Sequence, residues 1–152
     1  MIYIASDHAW FEMKNKIIDY LKIEKIKFED VWPYEYVEND NYPDYIIPCA
    51  EKVAENLEQN FWIILWGSGQ GEAIAANKVV WIRTVVYYGS NKEIIKLSKL
   101  HNNSNILSLW ARFIEENELI EIIRLWLETE FIDKGKHLKR IEKISHYENK
   151  KC

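Results

Sequence analysis

The segment GSGQGE at residues 67–72 concentrates the residue types best suited to chemistry in this chain of 152 residues. Its three glycines around Ser68 and Gln70 allow a tight turn whose N–H groups converge on one point, beside the predicted start of a helix. Such a cradle binds an anion or stabilises a developing oxyanion. No Gly-Lys-Ser/Thr follows, so the turn is not a nucleotide-binding P-loop. A glycine-rich turn is weak evidence by itself, because it also serves simply to reverse the chain.

Other side chains capable of chemistry have ordinary structural interpretations as well. Asp7 and His8 follow the first predicted strand, and His101 precedes a run of Asn and Ser. Asp7 suits a helix N-cap, Glu72 is favoured by the helix dipole, and a loop histidine is usually solvated. The basic tail is either a solvated face or a phosphate clamp. It contains Lys136, His137, Lys139 and Arg140.

Composition excludes several classes of protein. The chain has 20 basic and 24 acidic residues, a net charge of −4, which gives no reason to expect nucleic acid or an anionic membrane as the main partner. Cys49 and Cys152 are far apart and show neither metal-binding nor redox spacing, so a reduced cytoplasm is the simplest compartment. The first residues lack the features of a signal peptide, and no apolar run is long enough to cross a bilayer.

Apolar runs alternate with longer amphipathic segments, which predicts a parallel α/β sheet with helices on both faces. The predicted strands are 2–5, 26–31, 61–66, 82–88 and 105–109. Helices are predicted at 11–21, about 44–57, from about 72, at 91–100, about 115–129 and in the tail from 134. Ligands of open parallel sheets bind beyond the carboxyl ends of the strands. We therefore expect three segments at that end: SDH (6–8), GSGQGE (67–72) and HNNSN (101–105).

Taken together and in order, these segments resemble the ribose-5-phosphate isomerase type B family, which includes the allose- and galactose-6-phosphate isomerases. The resemblance covers the chain nearly end to end. It rests on SDHA (6–9), NYPDY (41–45), GSGQGEAIAANKV (67–79), IR (82–83), LHNNSNILSL (100–109), AR (111–112) and KGKH-x-x-R (134–140). It implies a single domain over 1–152 with a Rossmann-like three-layer sandwich. It also implies a homodimer, or a tetramer built from dimers, whose active sites lie between two chains, with the tail at about 133–152 reaching toward the partner subunit.

The resemblance implies an aldose–ketose isomerase that interconverts ribose 5-phosphate and ribulose 5-phosphate through a cis-enediolate. Some family members use a cysteine at position 66 as the base, and others a glutamate at position 72. This chain has Glu72 and no cysteine at 66, so Glu72 is the expected base. His101 is the expected ring-opening acid. Ser68 and the backbone N–H groups of residues 67–71 are expected to hold the enediolate oxygens.

The family pattern also assigns the binding residues. The expected substrate-binding residues are Asp7, His8, Tyr42, Gly67, Gly69, Gln70, Gly71 and Asn102, and the expected phosphate clamp is Arg112, Lys136, His137 and Arg140. The family commonly has arginine at position 136, and lysine keeps the charge but loses bidentate geometry. No metal or organic cofactor is implied. A hexose-6-phosphate isomerase is the alternative within the class, and a non-catalytic dimeric binding protein is the alternative outside it.

Tryptophan stands where the family usually has glycine, or at position 66 either cysteine or glycine. The six positions are Trp10, Trp32, Trp62, Trp66, Trp81 and Trp110, whereas Trp126 matches a tryptophan familiar in the family. Our hypothesis is that UGA codons, which some bacterial lineages decode as glycine, were translated here as tryptophan. Restoring six glycines to the five present gives about 7% of the chain, the ordinary share. If the six tryptophans are genuine, the binding-protein alternative gains weight, because Trp10 and Trp66 border the expected site.

Overall fold

Five parallel strands form one sheet in the computed structural model, which describes residues 1–6, 10–32, 41–110, 114–132 and 135–150. The strands are β1 (Ile2–Ser6), β2 (Phe28–Trp32), β3 (Phe61–Trp66), β4 (Thr84–Tyr87) and β5 (Ile106–Trp110). Their order across the sheet is β2-β1-β3-β5-β4, and every neighbouring pair is parallel. The predicted five-stranded parallel sheet is therefore confirmed.

Helices cover both faces of this sheet. They are α1 (Phe11–Ile23), α2 (Pro43–Ala54), α3 (Gln70–Ala76), α4 (Glu93–Asn102), α5 (Glu116–Glu128) and α6 (Gly135–Asn149). Buried side chains of α1, α4 and α5 join one apolar cluster, and those of α2 and α3 join the other. Helix α6 buries none of its side chains and lies beside α4. The result is the predicted three-layer, Rossmann-like sandwich with a helical tail.

Strand β3 shows why the sheet is sandwiched between two helical layers. Ile63 and Leu65 belong to the cluster under α1, α4 and α5, whereas Trp62 and Ile64 belong to the cluster under α2 and α3. A strand that is apolar on both faces must be covered on both, which is typical of the centre of a parallel sheet. Since β3 lies in the middle of the strand order, the residues that follow it emerge at the centre of the sheet.

The structure corrects two details of the sequence-based prediction. The fourth strand begins at Thr84 rather than at residue 82, because the Arg83 N–H donates to the Asn105 Oδ1 at 2.8 Å instead of joining the strand pairing. The HNNSN segment does not lie at the carboxyl ends of the strands. Helix α4 carries the chain back from the end of β4, so His101 and Asn102 form its last turn, beside the amino end of β5.

Two of the questioned tryptophans occupy unfavourable positions. Trp81 has φ of +67°, a left-handed conformation that is an outlier for a bulky residue and ordinary for glycine. Trp62 is only 1% exposed, and its indole N–H finds no acceptor among the described residues. By contrast, the buried indole of Trp126 donates to the Ser104 hydroxyl at 2.8 Å. These contrasts agree with the codon hypothesis, which stays a prediction.

Within the described part of the chain, no helix has both the length and the apolar character required to span a membrane.

Candidate active site

The glycine turn between β3 and α3 is packed on two sides and open on a third. Gly69 has φ of +70°, and a Cβ there would lie 2.5 Å from the Ser108 hydroxyl oxygen. A Cβ on Gly71 would lie 2.8 Å from the hydroxyl oxygen of Tyr42. A Cβ on Gly67, in contrast, would meet no atom within 4 Å. The absence of a side chain at Gly67 thus leaves room in front of the turn, where a ligand could approach.

Hydrogen bonds hold the turn in this shape. The Gly69 carbonyl accepts from the Ser108 hydroxyl at 3.0 Å and from the Ala73 N–H at 3.1 Å. The Gln70 N–H donates to the hydroxyl oxygen of Ser68 at 3.3 Å, and Ser68 itself is exposed. The turn is therefore anchored to the sheet on its inner side and presents a hydroxyl on its outer side.

Glu72 follows directly, in the first turn of α3. It is 5% exposed and is the one buried carboxylate among the side chains that the structure describes. Carboxylates are rarely buried without a purpose, and a buried one beside a glycine turn in the first turn of a helix is a candidate acid or base. Its position two residues after Gln70 places it beside the turn, as expected for a base that works on a sugar held there.

Cys49 is not an alternative nucleophile or base. It lies on α2, and burial raises the pKa of its thiol to about 11, so the thiol stays protonated near neutral pH.

A second group of predicted residues gathers around the end of α4. The imidazole rings of His101 and His137 stack face to face, with centroids 4.0 Å apart and planes 3° from parallel. Desolvation, together with the nearby charges of His101, Lys136 and Arg140, lowers the pKa of His137. Asn102 and Arg140 line a cavity of about 440 Å³ between α4, α6 and the edge strand β4. The predicted acid and three predicted phosphate ligands thus belong to one basic cluster.

Within one chain the structure does not bring the two groups together. Glu72 lies in the first turn of α3, which covers one face of the sheet from the carboxyl end of β3. His101 lies in the last turn of α4, which covers the other face and stops beside the amino end of β5. Asp7, His8 and Arg112 lie outside the described residues.

Sequence reasoning missed one residue that bonds to the turn, Ser108. Ser108 is fully buried in β5 and bonds to a carbonyl 39 positions away, so no local pattern predicts its partner. The available signal was a serine inside the apolar run ILSLW (106–110).

Known proteins similar to this chain cover nearly its whole length. Residues 2–144 match the family model described as Ribose/Galactose Isomerase. A probable ribose-5-phosphate isomerase B of Mycoplasma genitalium is 35% identical over 147 residues, 97% of this chain and 95% of that protein. The crystal structure of ribose-5-phosphate isomerase B from M. genitalium with bound ribulose-5-phosphate superposes with a TM-score of 0.88 at 34% identity, covering 97% of this chain and 95% of that one. The Clostridium thermocellum ribose-5-phosphate isomerase B superposes with a TM-score of 0.86 at 35% identity over 99% of both chains. The chain therefore belongs to the ribose/galactose isomerase family.

Proposed function

We propose that this protein is an aldose–ketose isomerase that interconverts ribose 5-phosphate and ribulose 5-phosphate. The observation that carries the proposal is the buried Glu72 carboxylate beside a glycine turn that is open at Gly67. Relatives named ribose-5-phosphate isomerase B cover nearly the whole chain, and one of them was solved with ribulose-5-phosphate bound.

The reaction moves one proton between the adjacent carbons C1 and C2 of the sugar. His101 protonates the ring oxygen as the anomeric hydroxyl loses its proton, so the bond between C1 and the ring oxygen breaks and the open-chain aldehyde forms. Glu72 then removes the C2 proton as a general base. The oxygens of the resulting cis-enediolate carry developing negative charge. The hydroxyl of Ser68 and the N–H groups of the glycine turn donate to these oxygens. Glu72 returns the proton to C1, and the proton of the C2 hydroxyl passes to O1, which leaves an alcohol at C1 and a ketone at C2. Asp7, His8, Tyr42 and Asn102 orient the hydroxyl groups of the sugar.

The active site of this proposal is shared between two chains of a homodimer. Glu72 and the turn lie on one face of the sheet, and His101 with the basic cluster lies on the other, an arrangement that supports a site shared between two chains. A partner's α4 and α6 supply the missing half. Exposed apolar side chains on these helices suit such docking: Ile94, Ile144 and Tyr147.

The phosphate group binds to the basic cluster of the tail. Lys136 and Arg140 lie one turn apart on α6, on either side of His137 in sequence, and Arg112 adds a further cation. In this arrangement the tail of a single-domain chain completes its partner's site.

The function is tested by turnover of ribose 5-phosphate in deuterated water. The wild-type protein is expected to convert it to ribulose 5-phosphate with deuterium incorporated at C1. Glu72→Gln is expected to lower kcat by about 10²–10⁴-fold, the usual contribution of a general base, while product binding persists. Glu93→Gln is the matched control, because Glu93 is an exposed glutamate in the first turn of α4. Full activity of Glu72→Gln would remove Glu72 as the base.

The same assay separates the alternative functions. Faster turnover of allose 6-phosphate or galactose 6-phosphate than of ribose 5-phosphate would make the protein a hexose-phosphate isomerase. The chain is assayed both with tryptophan and with glycine at the six questioned positions. Binding of the sugar phosphate without turnover in both versions would favour a non-catalytic binding protein.

A further inference from the structure

Ser108 is a polar residue in the middle of an apolar strand. It lies in β5 with no exposed surface, and its neighbours Leu107 and Leu109 are buried in the core. A buried hydroxyl is costly unless it is hydrogen-bonded. The bond it makes leads away from the core: it donates to the Gly69 carbonyl at 3.0 Å.

Gly69 and Ser108 depend on each other. The Gly69 carbonyl faces the sheet, where it accepts from Ser108, and a Cβ at that position would lie 2.5 Å from the Ser108 oxygen. Since real Cβ atoms do not approach so closely, any side chain at position 69 would displace the hydroxyl. The turn in this shape therefore favours glycine at position 69, and Ser108 supplies a donor to the Gly69 carbonyl.

The peptide group between Gly69 and Gln70 connects Ser108 to the exposed side of the turn. In a trans peptide the C=O and the N–H point in opposite directions. On one side the carbonyl accepts from Ser108, and on the other the Gln70 N–H donates to the Ser68 oxygen at 3.3 Å. Because Ser68 accepts this bond, its own O–H is free to donate on the exposed side. Consecutive hydrogen bonds of this kind polarise and strengthen one another.

We propose that Ser108 is a positioning residue for the isomerase reaction, acting on Ser68 through the Gly69–Gln70 peptide group. This inference rests on the proposed function, since it assigns Ser68 as a donor to the enediolate. Ser108 and the Ala73 N–H both donate to the Gly69 carbonyl, and together they hold the peptide against a rotation that would turn this acceptor toward the developing oxyanion. Ser108 thereby keeps the Ser68 hydroxyl oriented as a donor, an interaction that matters more in the transition state than in the bound sugar.

Steady-state kinetics of serine variants test this role. Ser108→Ala is expected to lower kcat about tenfold, equivalent to about 1.4 kcal/mol, with KM changed less than about twofold. Ser108→Thr keeps the hydroxyl and is expected to retain most of the activity. If Ser108→Ala lowers the folded fraction, Ser108→Cys replaces it, because a thiol is only a weak donor, and the same loss of kcat is expected.

Two further measurements separate positioning from ordinary structural support. In the Ser68→Ala background, Ser108→Ala is expected to cost little more, because both changes remove the same interaction. The control is Thr129→Val, which removes a part-buried hydroxyl that donates to the Leu125 carbonyl at 2.6 Å, far from the turn. It is expected to leave kcat unchanged.

The outcomes distinguish failure of this inference from failure of the proposed isomerase function. If the fold losses of kcat caused by Ser68→Ala and by Ser108→Ala multiply in the double variant, Ser108 acts independently of Ser68 and the inference is overturned. If the wild type is active and a folded Ser108→Ala variant has an unchanged kcat, the inference is also overturned, but the isomerase function stands. A wild type without isomerase activity would overturn both.

Discussion

Two inactive variants, combined in one dimer, would reveal whether the active site is shared between chains. Glu72→Gln removes the proposed base, and His101→Ala removes the proposed acid. The residues lie on opposite faces of the sheet, at opposite ends of strands that are roughly 13 Å long for the five residues of β5. A hydrogen-bonded sheet therefore separates them within one chain. In the proposed homodimer, a site that contains both would therefore take one from each subunit.

The expected magnitude follows from twofold symmetry. In a heterodimer of the two single variants, one site contains both mutations and the other contains neither, so activity should be about half that of wild type. Each homodimeric variant should be about 10²-fold less active, or worse. Heterodimers are obtained by coexpression with two different affinity tags and sequential purification, and ribose 5-phosphate turnover is then measured per dimer.

The reciprocal heterodimer is the control. One wild-type chain paired with a Glu72→Gln/His101→Ala chain places one mutation in each shared site, so it should be nearly inactive. If both residues instead served the same chain's site, this control would keep half the activity and the first heterodimer would be inactive. That reversed result would refute the reasoning from the sheet geometry.

Two substitutions test the glycine turn and the codon hypothesis. Gly67→Ala should leave thermal stability unchanged, because a Cβ at position 67 meets no atom within 4 Å and the φ of Gly67 is not positive. The variant should nevertheless lower kcat/KM at least about tenfold, because the methyl group fills the space of the ligand. Unchanged kinetics would place the substrate elsewhere. The Trp81→Gly variant should be more stable than Trp81→Ala by about 1 kcal/mol, which corresponds to roughly 3 °C in Tm. Both variants lose the indole, but only alanine keeps a Cβ at a φ of +67°. Equal Tm values for these two variants, or UGG at the six tryptophan codons, would contradict the hypothesis that glycine belongs at position 81.

Much of the architecture was predictable because the governing patterns are local. The limits of β3 match the predicted range 61–66, since an apolar run bounded by Asn60 and Gly67 can end at few other places. The fourth strand was predicted too long, because an Asn105 side chain captures the Arg83 N–H from across the sequence. Local patterns identify the elements well, and errors arise where a distant side chain replaces a backbone partner.

The candidate site, too, was predictable in part from the sequence and in part only from the tertiary structure. By itself the sequence determined that a glycine turn, Glu72, His101 and a basic tail occur in the order of one isomerase family, because residue types and spacing are properties of the chain. Only the tertiary structure decided which of these residues meet. Helix α4 returns the chain to the amino ends of the strands, so His101 joins His137 rather than Glu72. The pairing of β3 with β5 brings Ser108 under Gly69, a contact that depends on strand order and register, which residues 39 positions apart do not encode locally.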